Sequence, residues 1–297
     1  MGRKPILVTG LYKSATTWLG KMICYSGKYG NVYEPFNPDV SSLIRELEFP
    51  FEYICNENEH KYIKSLKKIM EFDYTLTSLI KDSKNIGLFR RNLQVYLEFK
   101  YFLYKNFKPL IKDPIAVFST EWLAEKFNMD VIVMTRHPAG FISSIVKNNY
   151  GFDFDNLTNQ QLLMDQHLNK YRKRITQIDY NLKNHGKKRE HIIDYGILVW
   201  EIINDRIIDY RNKHKDWLFL RLEDLNEDPY KYLELIFSEL NIEFDRLIKS
   251  KIDYRLKFRK VINTAKSWKI LLTKNEIALI RKKLEEKASN FYGNSDW

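Results

Sequence analysis

Cysteine is nearly absent from this chain: Cys24 and Cys55 are the only two among 297 residues. Two such distant thiols give neither a disulfide framework nor the paired ligands of a structural zinc site. The six histidines are scattered, and no metal centre is expected. Long apolar runs are missing too, since none approaches the ~18 residues that cross a bilayer. The first apolar stretch is only strand-length and meets Lys13 at once, unlike a secretory leader. The expected location is therefore cytoplasmic, or peripheral to a membrane. No internal repeat, low-complexity linker or nucleic-acid motif accompanies the net charge of +11, which is spread over the whole chain. Nucleic acid is not an expected partner. The charge fits either a compositional bias or attraction of an anionic ligand, and oligomeric state is not readable.

What is present is an alternation of short apolar runs with helical patterns. Lys4–Thr9, Asn31–Tyr33, Pro109–Lys112, Val131–Thr135 and Trp217–Leu222 read as strands. Helices are expected over Thr16–Tyr25, Thr120–Phe127 (capped by Thr120), from Pro138 onward, over Leu162–Leu182 and His191–Tyr210, from Pro229 to Leu240, and from near Thr273 after a loop beginning at Asn263. Continuous apolar strands between helices imply an α/β fold: three layers, with a central parallel sheet flanked by helices. A single domain over 1–297 is expected. Residues 41–107 and 150–190 read as helical insertions forming an acceptor-binding cap.

The segment Pro5–Leu19 carries the strongest signal. An apolar strand turns at Gly10 and opens a helix through Ser14, Thr16 and Thr17. Unpaired N–H groups and the helix dipole make such a junction an anion site. The frame nearly copies the triphosphate loop G-x-x-x-x-G-K-[ST]. Ala15 stands where the second glycine would be and Thr16 where the lysine would be, while the lysine sits inside the loop as Lys13. In a parallel sheet, ligands bind beyond the carboxyl ends of the strands. The strand ends here offer Lys13, Glu34, Lys112-Asp113 and Arg136: a base, two cations and an anion clamp.

These residues resemble those of the sulfotransferases that use 3′-phosphoadenosine 5′-phosphosulfate, in particular the bacterial and tyrosylprotein-type branch. Lys13-Ser14-Ala15-Thr16-Thr17-Trp18 is similar to the family's 5′-phosphosulfate loop, and Arg136 with Ser144 to its 3′-phosphate motif. Lys112-Asp-Pro114 and Glu34 lie where that branch has comparable residues. Arg221-Leu-Glu-Asp-Leu225 with Asp228-Pro229, and Ser267-Trp268-Lys269, resemble its later segments, the last a loop that closes over the cofactor. Ala15 departs from the family's glycine, and Leu222 from a frequent aromatic.

The resemblance implies a fold like that of the P-loop nucleotide hydrolases and a metal-free transfer of a sulfuryl group, leaving adenosine 3′,5′-bisphosphate. The acceptor would be a hydroxyl of a glycan, lipid or small molecule. Lys13 would steady the bridging oxygen, Lys112 the sulfuryl oxygens, and Glu34 would take the acceptor's proton. Simpler alternatives stand beside these roles. Glu34 could be a turn residue, Lys112-Asp113 a strand-end ion pair, and Arg136 a partner of Glu223 or Asp224. His137 reads as a packing or capping residue, Trp18 as helix core, and Trp268 as either packing or closure. A kinase or nucleotide hydrolase with a degenerate loop, and a non-catalytic anion- or glycan-binding relative, are the rival readings.

Overall fold

The computed structural model describes residues 3–80, 86–149, 151, 153–257 and 266–297. From the amino terminus come β1 (Ile6–Gly10), α1 (Thr16–Cys24), β2 (Tyr29–Tyr33), α2 (Glu59–Met70), α3 (Leu76–Ile80) and α4 (Ile86–Tyr104). Next are β3 (Lys108–Lys112), α5 (Thr120–Phe127), β4 (Asp130–Thr135), α6 (Pro138–Asn148), α7 (Asp155–Thr158) and α8 (Gln161–Leu163). The remainder holds α9 (Arg172–His185), α10 (Arg189–Lys213), β5 (Leu218–Arg221), α11 (Leu222–Glu227), α12 (Pro229–Glu239), α13 (Arg246–Lys257), α14 (Trp268–Leu271) and α15 (Lys274–Ala288).

The five strands form one sheet in the order β2-β3-β1-β4-β5, the α/β architecture expected. β3 pairs parallel with both β1 and β2, and the register sets Val8, Lys112 and Tyr33 side by side at the carboxyl ends. β1 is buried along its whole length, as a strand covered on both faces must be.

Two compact units divide the chain. The first comprises Met1–Thr9, Thr16–Ile132 and Phe237–Tyr254; the second comprises Gly10–Ala15, Val133–Ile236 and Arg255–Trp297. In the first, α1 packs on β2 and β3, and α4 on β2. In the second, α10 is the central helix and packs on α6, α9 and α15. Its apolar residues surround it: Ile193, Leu198, Trp200 and Ile203 are all buried, the pattern of an enclosed helix.

Several expected elements differ. The helical run expected from residue 41 begins only at Glu59. Residues 41–58 form turns because side chains satisfy their backbone. The Glu52 carboxylate accepts from the N–H groups of Glu48 and Phe49, and Ser119 Oγ bonds Ile54 N and Glu52 O. Thr120 does not cap α5: a 3-10 turn over Pro114–Ser119 leads straight into the helix, and the Thr120 hydroxyl donates back to Ala116 O at 3.1 Å. The helix expected from Leu162 passes through a π turn (Met164–Leu168) and a 3-10 turn (Asn169–Tyr171) before α9, which turns Leu168, Tyr171 and Ile175 into the core. α13 is an additional helix, opened by the Asp245 side chain on Ile248 N at 2.8 Å. Tyr150, the expected start of the second insertion, and Asn263, the expected start of the last loop, lie outside the described residues.

Candidate active site

In the first unit the chemistry gathers where β2 and β3 end. Lys112, the last residue of β3, is 1% exposed. Its aliphatic stem lies under Gly20 of α1, where a Cβ would meet Lys112 Cγ at 3.3 Å. That glycine lets the helix approach the strand closely. Lys112 Nζ meets Glu34 Oε1 and lies 3.7 Å over the Tyr33 ring. Burial pushes the Lys112 pKa down, and Glu34 opposes that shift. A buried cation needs such a partner to keep its charge.

Glu34 adopts φ +45° and is fixed from several sides. Its N–H donates to Lys112 O at 2.9 Å, and its other carboxylate oxygen accepts from Asn37 Nδ2 at 3.2 Å. Asn37 N donates to Glu34 O at 3.2 Å, closing the turn. Asp113 pins that turn: it is fully buried and accepts from Phe36 N at 2.7 Å and Ile115 N at 3.1 Å, while its own N–H donates to Val8 O at 2.9 Å. Burial raises its carboxyl to about 7, against the pull of Phe36 N–H and of Lys112. The Tyr33 phenol reaches both Thr17 and Glu34, and burial raises its pKa. Thr16 and Thr17 are the first residues of α1, where backbone N–H groups have no intrahelical acceptor.

The second unit holds the loop Gly10–Ala15 and the end of β4. Gly10 has φ +118°, and a Cβ there would lie 2.1 Å from Met134 O; only glycine fits. Leu11 N donates to Met134 O at 2.8 Å. Lys13 and Ala15 both take left-handed backbone, φ +63° and +68°. The loop thus keeps, at Ala15, the conformation a glycine would supply. Lys13 is exposed. Ser14 is buried and its hydroxyl donates inward to Leu11 O. Arg136, 5% exposed, donates from Nη1 to Lys13 O at 3.0 Å, and its own carbonyl accepts from Trp200 Nε1 at 2.9 Å. Burial lowers the Arg136 pKa, and the charge of Glu223 opposes that shift.

Ser144 lies half-buried on α6. The Arg221 guanidinium is held by Asp224, by Asp296 at 3.2 Å and by Phe291 O at 3.0 Å. Trp268 is buried and stacks on His137, with ring centroids 5.1 Å apart and planes 10° apart. Lys269 Nζ donates to Trp297 O at 3.2 Å, and Ser267 precedes α14. Trp18 is half-buried at the start of α1.

Within the first unit the structure therefore brings together Glu34, Lys112 and Thr17; within the second, the Lys13 loop and Arg136. Arg221 and Trp268 stand instead in the packing of the carboxyl-terminal segment. Tyr33, Asn37 and Gly20 had not been singled out. Tyr33 could have been found by its place, directly before Glu34 at a strand end, and Asn37 by its place in the Glu-Pro-Phe-Asn-Pro turn. Among the described residues, no group of three or more His, Cys, Asp or Glu side chains is placed to hold a metal ion.

The chain is similar in fold to the sulfotransferase domain of the olefin synthase of Synechococcus PCC 7002 (TM-score 0.51, 16% identity, covering 98% of this chain and 95% of that one). It is also similar to the sulfotransferase domain from the curacin biosynthetic pathway (TM-score 0.50, 14% identity, 96% and 98% covered). A search of curated protein sequences gave no match. The model of the sulfotransferase family matches residues 5–203, from β1 into α10, and on that match the chain belongs to the sulfotransferase family.

Proposed function

We propose that the protein transfers a sulfuryl group from 3′-phosphoadenosine 5′-phosphosulfate to a hydroxyl acceptor, with Glu34 as general base. The observation that carries this reading is the contact of Glu34 with the buried ammonium of Lys112 at the ends of β2 and β3. In the reaction the acceptor oxygen bonds to sulfur and the bond from sulfur to the 5′-phosphate oxygen breaks. The electron pair leaves with adenosine 3′,5′-bisphosphate, and the acceptor's proton goes to Glu34. As Glu34 is neutralised, the Lys112 cation is released to the sulfuryl oxygens. Lys13 steadies the charge growing on the bridging oxygen.

The 5′-phosphate is held by backbone N–H groups from Ser14 to Thr17 and by the hydroxyls of Thr16 and Thr17. Ser14 contributes only its backbone, because its hydroxyl is committed to Leu11 O. Arg136 with Ser144 reads the 3′-phosphate. Arg136 also holds the loop at Lys13 O, so one side chain would both bind the donor and shape the loop. Ser267-Trp268-Lys269 would close over the nucleotide from beside His137, on which Trp268 stacks. Arg221 acts through the segment it anchors.

One experiment tests donor and base together: thermal shift with adenosine 3′,5′-bisphosphate, and transfer of labelled sulfate to a panel of hydroxyl compounds. The wild type is stabilised by the bisphosphate and labels an acceptor. Glu34→Gln keeps the stabilisation and loses transfer by about 10²–10⁴-fold. Absence of stabilisation in the wild type overturns the donor; full transfer by Glu34→Gln overturns the base.

A further inference from the structure

Beside the edge strand β2, within the first unit, lies a cavity of about 290 Å³ bounded by β2, α4, Lys21 of α1 and the turn at Ser41–Leu43. Tyr33 is part of its wall, and the same Tyr33 reaches Glu34 and Thr17 and lies under Lys112 Nζ. The cavity therefore adjoins the base. Its volume is at the small end of ligand sites. That is room for a group of monosaccharide size.

The charges around the cavity do not balance. Lys21 and Arg91 both border it, and neither has a carboxylate partner among the described residues. The only acid on the wall, Glu98, is engaged by Gln94 Nε2 at 2.8 Å. Both cations act on the site itself: Arg91 on the Tyr33 phenol and Lys21 on the Lys112 ammonium. Two cations against one carboxylate, neither cation ion-paired among the described residues, leave the wall net positive beside the proposed base, and such a wall attracts an anion. Ser42 and Asn92 add hydroxyl and amide groups, tied to each other at 3.2 Å.

We propose that this cavity seats the acceptor, and that the acceptor carries an anionic group besides the hydroxyl that is sulfated. It is a small polyhydroxy carboxylate or phosphate, its acid held by Arg91 and Lys21 and its hydroxyl turned toward Glu34. This rests on the reading of the site as a sulfotransferase with Glu34 as base.

The test compares glucose, glucuronate and glucose 6-phosphate as acceptors and as ligands of the protein saturated with adenosine 3′,5′-bisphosphate. The acidic sugars bind at least about tenfold more tightly than glucose. Arg91→Met and Lys21→Met each raise KM for them with kcat little changed, and leave bisphosphate affinity as it was. The carboxylate and phosphate arms show which acid is taken. Equal affinity for glucose and both acids, no binding of either acid, or a preference unchanged in the two variants overturns the proposal. Loss of bisphosphate binding in the wild type would sink the donor reading instead, so the two failures are distinct.

Discussion

Three residues of the candidate site hold left-handed backbone although none is glycine: Lys13, Ala15 and Glu34. A side chain in that region costs roughly 1–2 kcal/mol relative to ordinary angles. Lys13 and Glu34 carry functional groups that glycine lacks. Ala15 carries only a methyl, so its strain has no such return. Ala15→Gly is therefore expected to stabilise the fold by about 0.5–1 kcal/mol after the extra chain entropy of glycine is deducted. The melting temperature should rise by about 1–4 °C, and a fall would mean that the methyl packs favourably. In the sequence Ala15 looked like a departure from a phosphate loop. In the structure the side chain differs and the backbone does not. Glu34 and Lys112 were legible as candidates because they stand at the ends of the expected strands Asn31–Tyr33 and Pro109–Lys112. Tyr33 was legible only by its place directly before Glu34, since its contact with Lys112 depends on β3 lying beside β2.

At the level of elements, strands were the most legible parts, because short β-branched runs such as Val131–Thr135 and Pro5–Thr9 are too short for a helix and are bounded by Gly, Pro or charged residues. Residues 41–58 were not, because their hydrogen bonds come from Ser119 and Glu52 rather than from local periodicity. The start of α6 offers a measurable consequence. His137, just before Pro138, is enclosed by Trp268, Tyr292 and Trp297, and neither ring nitrogen has a hydrogen-bond partner among the described residues. Burial lowers its pKa from 6.5 to about 3, and Lys269, Arg136 and Arg221 repel its proton while Asp296 favours it. The unfolded chain binds that proton more readily, so the stability is complete above pH 6.5 and drains away as pH falls toward 3. His137→Phe keeps a ring and removes the titration. Its melting temperature should fall less than the wild type's over that window, with a smaller change in tryptophan fluorescence. Parallel curves for the two proteins would rule out His137 as the group responsible.

For the molecule as a whole, a charge of +11 would meet, in the proposed 3′-phosphoadenosine 5′-phosphosulfate, a polyanionic donor. Diffusional capture of such a donor is accelerated by the field and screened by salt. Raising ionic strength should lower kcat/KM for the donor while leaving kcat nearly constant; a salt-independent kcat/KM would assign the charge to composition alone. Among the described residues no helix is long and apolar enough to cross a membrane.

Asp113 deserves a last consequence. Through its carboxylate and its N–H it joins the base turn at Phe36, the turn at Ile115 and the end of β1 at Val8. None of these anchors belongs to α2, α3 or α4. The hydrogen bonds that pin the turn carrying Glu34 thus come from the sheet and its adjoining turn, whereas α4, which borders the proposed acceptor cavity, meets that turn through β2. Under the proposed roles, exposed positions of α4 that face the cavity would set which compound is accepted, while the Asp113 anchors would set where its proton goes.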